Sequence, residues 1–291
     1  MPDPERIVFR PGLCDPELHE RGPVRVAPAQ KYRPRQTDLK EPHCTDEGEW
    51  ERDQKALDHP MKKLILFDID GTLLSTRGAA RKAFTRAMLE VYGTTGPIAT
   101  HTFNGKTDPQ IARELLRLDG MPDDRIDAGL PALWDRYLAE LRIEVAAPGH
   151  QTEVMPGVPA LLNALAHEHQ DCLVALLTGN IVGGAAVKLQ SAGLEGYFAF
   201  GAYGSDCERR DGLPPIAVER AFVHAQRRFL GREVIVIGDT PSDVTCGRSI
   251  DVFAFAVETG GHGAEELEAA GAHAVLPDLS DTARVLDILL S

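Results

Sequence analysis

The segment LILFDIDGTL, residues 64–73, restricts the possible folds of this chain more than any other part of it. Its first four residues are apolar, which is typical of a central strand in a parallel sheet covered on both faces. The run then ends in Asp68 and Asp70, whose like charges repel each other. Because residues i and i+2 of an extended chain point to the same side, both carboxylates can enter one cavity. The segment therefore predicts a buried strand with a chemical site at its end.

The chain after residue 61 alternates short apolar runs with helix-like patterns. Three further runs, at 173–177, 234–237 and 252–256, resemble the first in length and composition. The helix-like patterns lie at about 157–168, 183–192, 214–229, 241–250 and 280–290. Repeated strand–helix units predict an α/β fold with a doubly wound parallel (Rossmann-like) sheet and right-handed crossovers.

Residues 78–150 interrupt this alternation between the first and second strands. They contain helix patterns at 79–92, 108–118 and 132–145, and no clear strand pattern. The interval is too long for a crossover connection and predicts an inserted all-helical domain. The α/β core domain then comprises residues 61–77 and 151–291.

The first 60 residues differ in composition from the remainder, because they hold 9 of the 20 prolines and show no sustained periodicity. Such a segment buries too little apolar surface to offset the entropy of ordering, which predicts a disordered tail. Two interpretations stay open. Either Met61 is the true start and residues 1–60 are an over-extended reading frame, or the tail is a genuine regulatory or interaction segment.

Charge and cysteine content limit the partners and the location. The formal net charge of −13 disfavours binding to nucleic acid and to anionic membranes, so we expect neither partner. No apolar run reaches the length of a bilayer span, and no secretory signal pattern is present. The cysteines at 14, 44, 172, 207 and 246 form no CxxC pair or zinc-like spacing, which favours buried thiols in a reducing cytoplasm.

Polar groups follow three of the predicted strands, in FDIDGT at 67–72, LTGN at 177–180 and IGDTPSD at 237–243. Sites in open α/β sheets form outside the carboxyl ends of the strands, so Asp68, Asp70, Asp239 and Asp243 are expected to converge. Four carboxylates would repel strongly without a cation among them. An all-oxygen site of carboxylates and water suits Mg²⁺, which we predict as the cofactor.

This ordered set of motifs, with a helical insertion after the first, resembles the haloacid dehalogenase (HAD) superfamily over residues 62–290. Within it, the chain is most similar to phosphoglycolate-phosphatase-like hydrolases with a helical cap. The stretch GTLLSTRGAARKAF resembles their entry into the first cap helix, and NGKTDPQIARELL resembles a cap segment. The resemblance implies that residues 78–150 are the cap domain.

The resemblance also implies roles for the residues at the strand ends. Asp68 would attack phosphorus in line and form an aspartyl-phosphate. Asp70 would protonate the departing alkoxide and later take a proton from the attacking water. Thr178 would donate its hydroxyl to a phosphoryl oxygen, and the backbone N–H groups of Gly179 and Asn180 would bind another.

The same resemblance implies a ligand set for the metal. Mg²⁺ would be held by an Asp68 carboxylate oxygen, the Asp70 backbone carbonyl and Asp239, with Asp243 as a direct or water-mediated ligand. Asp243 could instead cap the helix that begins near residue 242. Lys106, in the cap segment, could contact substrate or only solvate the cap surface.

One part departs from the superfamily pattern. A lysine usually precedes the helix after the fourth strand, where it neutralises the phosphate and the nucleophile, but residues 207–215 read CERRDGLPP. Arginine can serve there because its fixed charge and planar fork suit phosphate. Spacing from Leu213 favours Arg210 over Arg209, and both stay candidates.

We therefore predict a Mg²⁺-dependent phosphatase acting on a small phosphorylated metabolite. A carbon–halogen dehalogenase would need neither the metal nor Asp70. A phosphosugar mutase would share every core residue and differ only in returning the phosphoryl group to substrate. A non-catalytic phospho-acceptor or binding module, from a different class, would need neither the acid at Asp70 nor a lid.

Overall fold

The computed structural model describes residues 62–167 and 171–291. The predicted tail of residues 1–60, and Met61 with it, lies outside these ranges. Within them, no helix is both long enough and apolar enough to cross a membrane.

Short strands recur along the described chain on either side of residues 76–152. In chain order they are β1 (Lys63–Phe67), β2 (Leu74–Ser75), β3 (Glu153–Val154), β4 (Cys172–Thr178), β5 (Gly201–Tyr203), β6 (Val234–Gly238), β7 (Phe253–Val257) and β8 (Ala274–Leu276). Six of them form one parallel sheet in the order β5-β4-β1-β6-β7-β8, while β2 and β3 pair antiparallel. The predicted strands β1, β4, β6 and β7 differ from the observed ones by at most one residue at each end.

Helices connect these strands. They are α1 (Ala79–Tyr92), α2 (Asp108–Leu118), α3 (Asp123–Val145), α4 (Val158–His167), α5 (Val182–Ala192), α6 (Leu213–Ala225), α7 (Pro241–Cys246), α8 (Ala264–Ala269) and α9 (Thr282–Leu290). The predicted α/β fold with a parallel sheet is thereby confirmed. Five short strands and α-helices were not predicted from the sequence pattern: the antiparallel pair β2 and β3, the edge strands β5 and β8, and helix α8.

Both faces of the sheet are covered, because side chains of β1 alternate between two apolar clusters. Ile65 and Phe67 pack into the cluster that contains residues of α4 and α9. Leu64 and Leu66 pack into the cluster that contains residues of α6 on the opposite face. Because both sets of alternating side chains are buried, β1 is continuously apolar from Leu64 to Phe67.

Helices α1, α2 and α3 lie between β2 and β3 and share a third apolar cluster. The expected helix at 132–145 is wrong at its start, since α3 begins at Asp123 and continues through Pro131. A proline costs a helix one backbone hydrogen bond, but Ile126 and Leu133 on either side of it are both fully buried. The division of the chain into a core domain and a cap domain stays a prediction.

Two other predicted helices end earlier than expected. The pattern at 214–229 forms α6 only to Ala225, because Gln226 adopts a left-handed conformation with φ 54°. The pattern at 241–250 forms α7 to Cys246, and a separate 3₁₀ turn covers Arg248–Ile250 after Gly247.

Candidate active site

Strand β1 lies between β4 and β6, so the carboxyl ends of these three strands are adjacent. The strand order reverses at this point, which is where open α/β sheets form their sites. A cavity of about 330 Å³ opens there. Most of the predicted site residues line it, namely Asp68, Asp70, Lys106, Thr178, Gly179, Asn180, Arg210 and Asp239.

A cluster of three buried carboxylates marks one side of this cavity. Oxygens of Asp68, Asp239 and Asp243 lie within 4.8 Å of one another. Burial, followed by the charge of Asp243, raises the pKa of Asp68 to about 6, although Arg210 opposes this effect. Burial and the charges of Asp243 and Asp68 raise the pKa of Asp239 to about 8. A group of acids that resists ionisation in this way fits a divalent cation with oxygen ligands.

Asp239 is held tightly in place by its neighbours. The hydroxyl of Thr72 donates to Asp239 Oδ1 at 2.9 Å. Gly260 packs so closely that a Cβ atom at this position would lie 1.6 Å from Asp239 Oδ2. Only glycine fits there, so the backbone around residue 260 limits where this carboxylate can point.

Arg210 connects the acids of the cluster. Its Nη2 lies 3.1 Å from Asp68 Oδ1 and also donates to Asp243 Oδ1. Burial lowers the pKa of Arg210, but the charges of Asp243 and Asp68 outweigh it and raise that pKa above its ordinary value. Arg209 instead points outward, where its Nε donates to Asp211 Oδ1 at 3.0 Å. The 3₁₀ turn at Arg210–Gly212 thus places Arg210 beside Asp68.

Both carboxylate oxygens of Asp243 accept hydrogen bonds from protein groups. Its Oδ2 accepts from the backbone N–H of Thr240 at 3.0 Å and from the Thr240 hydroxyl at 2.7 Å. Thr240 is the N-cap of α7 and accepts from the Asp243 backbone N–H, so Asp243 takes part in the capping of this helix as the N3 residue of a capping box. Since Oδ1 accepts from Arg210, both oxygens have protein donors, which favours contact with a cation through water.

The Asp70 carboxylate is held by Lys188 and Asn180, which do not belong to the cluster of three acids. Lys188 Nζ donates to Asp70 Oδ1 at 2.8 Å and to Oδ2 at 2.6 Å. The Asn180 side-chain amide donates to Asp70 Oδ2 at 2.8 Å and to Thr178 Oγ1 at the same distance. Thr178 Oγ1 therefore acts as an acceptor toward Asn180, which leaves its hydroxyl proton available for another acceptor.

Lys188 was not predicted as a site residue, although the sequence contains a signal for it. It is the single charged residue in the small and apolar sequence of α5, VGGAAVKLQSA. It also follows Ala185 by three residues, on the buried side of that helix. A buried lysine on an apolar stripe needs an acidic partner, and only the three-dimensional structure identifies that partner as Asp70.

The loop before α2 closes over the end of β4. The Asp108 backbone N–H donates to the Gly179 carbonyl at 2.7 Å, and Asp108 Oδ2 accepts from the Ile181 backbone N–H at 2.8 Å. A Cβ atom at position 179 would lie 2.2 Å from the Lys106 carbonyl oxygen, so this approach requires glycine. The ammonium of Lys106 lines the cavity but bonds to Glu114. Both readings of Lys106 therefore stay open.

Comparison with known proteins identifies the family. The model of haloacid dehalogenase-like hydrolases matches residues 65–257, about two thirds of the chain. The chain belongs to the haloacid dehalogenase-like hydrolases. The resemblance seen in its motifs is confirmed at this level, and the protein is an enzyme of the hydrolase class.

Individual relatives of this HAD-like hydrolase are distant. A curated protein of Dickeya dadantii named "Probable phosphatase IndB" is 27% identical over 240 residues, which is 79% of this chain and 96% of that protein. A hydrolase structure from Pseudomonas syringae is 23% identical, with TM-score 0.60, 79% of this chain covered and 100% of that one. A Bacteroides vulgatus structure whose name proposes a β-phosphoglucomutase is 18% identical, with TM-score 0.57 and coverage of 84% and 96%. At these identities the two structures show a shared fold.

Proposed function

We propose that this HAD-like hydrolase is a Mg²⁺-dependent phosphatase that acts on a small phosphorylated metabolite through an aspartyl-phosphate at Asp68. One observation carries the proposal: the buried Asp68 lies beside Arg210 and two further buried acids, at the edge of a cavity of about 330 Å³. The name of the Dickeya dadantii relative supports the same activity.

The donor set fits the cation that the family implies. Asp68, Asp239 and the Asp70 backbone carbonyl would hold Mg²⁺, with Asp243 in contact through water. The bound ion supplies positive charge that offsets the repulsion between a phosphate dianion and the Asp68 carboxylate. Arg210 adds a fixed positive charge, with its Nη2 3.1 Å from Asp68 Oδ1.

The chain's own residues then carry the chemistry. An Asp68 oxygen attacks phosphorus, the bond from phosphorus to the leaving oxygen breaks, and Asp70 gives that oxygen a proton. The Thr178 hydroxyl and the backbone N–H groups at 179 and 180 bind phosphoryl oxygens. In the second step water attacks phosphorus, Asp70 takes the proton from that water, and the bond from Asp68 to phosphorus breaks.

The helical segment 78–150 would act as the cap that closes over substrate. Its side chains supply an aromatic and apolar wall on the far side of the cavity, formed by Phe84, Phe103, Ile111 and Tyr137. Such a wall excludes water from the phosphorylated aspartate and leaves little room for a large substrate. The size of the cavity supports a small metabolite as the substrate class.

The test is hydrolysis of 4-nitrophenyl phosphate by the purified protein, with Mg²⁺ and with a chelator, followed by a panel of phosphorylated metabolites. Asp68→Asn is expected to abolish turnover. Asp287→Asn, a matched change at an exposed aspartate of α9, is expected to leave it unchanged. Full activity without metal, or full activity in Asp68→Asn, contradicts the mechanism.

Two alternatives give distinct results in the same experiment. A phosphosugar mutase would convert one sugar phosphate of the panel into an isomer with little release of inorganic phosphate. A phospho-acceptor module would become labelled once per molecule at Asp68 and show no turnover.

A further inference from the structure

Lys188 is a buried cation in an otherwise apolar helix face. It is 4% exposed, and among the described residues its hydrogen-bond acceptors are the two oxygens of Asp70. Lysine is rarely buried without a partner, because a desolvated ammonium is costly unless it is paired. The contact therefore fixes Lys188 and Asp70 relative to each other across 118 residues of sequence.

The two members of this pair are exposed to very different degrees. The Lys188 side chain is 4% exposed, whereas the Asp70 side chain is 44% exposed and lines the cavity. Lys188 also lines the cavity, but both printed hydrogen bonds of its ammonium go to Asp70. This arrangement suits a support for Asp70 better than a direct contact to substrate.

The two oxygens of Asp70 are also used unequally. Oδ2 accepts from both Lys188 and Asn180, at 2.6 and 2.8 Å. Oδ1 accepts only from Lys188 among the described residues, at 2.8 Å. A carboxylate oxygen offers about two acceptor positions, so Oδ1 has one left and Oδ2 has none. The oxygen with the free position is the one that can contact a reacting group.

We propose that Lys188 is a positioning residue that, together with Asn180, orients the Asp70 carboxylate so that Oδ1 faces the leaving group. The inference rests on the proposed phosphatase function. The two aspartates also differ in their cations, since Arg210 pairs with Asp68 while Lys188 pairs with Asp70.

The kinetic test is a double-mutant cycle with Lys188→Met and Asp70→Asn. General acid–base catalysis contributes about 10²–10⁴-fold, so Lys188→Met is expected to lower kcat by roughly 10- to 100-fold with KM changed by less than about twofold. The loss is expected to be larger for phenyl phosphate than for 4-nitrophenyl phosphate, whose leaving group needs less protonation. In the Asp70→Asn background the same change is expected to have no further effect on kcat.

Two further variants serve as controls for the kinetic test. Lys82→Met, at an exposed lysine of α1, is expected to match the wild type. Lys188→Gln can donate to one Asp70 oxygen and is expected to lose less activity than Lys188→Met. Losses that multiply in the double variant, or a rise in KM alone, would overturn the positioning role. Failure of both Lys188 variants to fold, judged by circular dichroism, would show a purely structural lysine.

A crystal structure of Lys188→Met provides a readout that does not depend on activity. The Asp70 carboxylate is expected to rotate away from its wild-type orientation, and an unchanged carboxylate would overturn the proposal. If the wild-type protein hydrolyses no phosphate monoester, the proposed phosphatase function fails. The orientation of Asp70 in the variant crystal would then still decide whether Lys188 positions it.

Discussion

Replacing Arg210 with methionine tests how the acidic cluster is stabilised. The Arg210 side chain is 7% exposed and bonds to Asp68 and Asp243, which are themselves buried. Arg210→Met keeps an apolar stem of similar length and removes the charge. It leaves three carboxylates within 4.8 Å of one another without their buried cation.

The magnitude follows from the loss of one partner in a buried ion pair. Such a loss typically costs about 3–5 kcal/mol, because the remaining charge stays desolvated and unpaired. In a unit of this size, 1 kcal/mol shifts the unfolding midpoint by about 2–4 °C, so Tm is expected to fall by about 6–20 °C. The change is expected to be smaller with saturating Mg²⁺, since a bound cation replaces part of the missing charge.

Thermal unfolding in a chelator, followed by circular dichroism, measures this effect. Arg209→Met is the matched control, because the Arg209 side chain is 62% exposed and pairs with an exposed Asp211. An exposed ion pair contributes about 0–1 kcal/mol, so this variant is expected to unfold within about 4 °C of the wild type. A drop of less than about 2 °C for Arg210→Met, or an equal drop for Arg209→Met, would refute the reasoning.

Two other perturbations test the cation site. Asp68 and Asp239 have folded pKa values of about 6 and about 8, above the ordinary 3.8, so their contribution to stability is present below about pH 4 and lost as pH rises toward 8. Urea unfolding of the metal-free protein is expected to show this loss, and the loss is expected to be smaller in Asp239→Asn. A Mg²⁺ concentration 100 times the Kd at pH 8 is expected to restore about 2.7 kcal/mol at pH 8, and the same concentration is expected to restore less at pH 5. The opposite pH trend would contradict the assignment. Gly260→Ala is expected to weaken Mg²⁺ binding at least tenfold by calorimetry, because its Cβ would displace the Asp239 carboxylate, whereas Gly196→Ala, with open space around it, is expected to bind Mg²⁺ normally.

The sequence predicts the central strands well because each is buried on both faces. Such strands are continuously apolar, as in β1, and short apolar runs bounded by polar residues locate them closely. The edge strands β5 and β8 have three residues each, too few for a periodic signal. The first two turns of α3 were not predicted, because a proline inside a helical pattern usually marks a helix boundary. In this protein the helix continues through Pro131, and tertiary packing tolerates it.

Some site residues can be located from the sequence pattern, and others only from the three-dimensional structure. The strands β1, β4 and β6 end at or within three residues of Asp68, Asp70, Thr178 and Asp239, so locating the strands also locates these side chains at one edge of the sheet. Lys188 lies in the middle of a helix, and its importance depends on how α5 packs against the site. Sequence spacing favoured Arg210 over Arg209, and the 3₁₀ turn at this point is what directs Arg210 inward.

Two aspartates two residues apart pose an electrostatic problem, for which the sequence predicts a metal ion and, at Asp68, an arginine. The structure shows that the chain supplies two cations of its own, Arg210 for Asp68 and Lys188 for Asp70. These cations come from different parts of the fold, so each aspartate has its own surroundings. The Asp68 side chain is 8% exposed and the Asp70 side chain is 44% exposed, which suits a fixed nucleophile and an acid that must reach the leaving group. The different roles proposed for the two aspartates therefore follow from their different partners, because in sequence both are simply acids at the end of one strand.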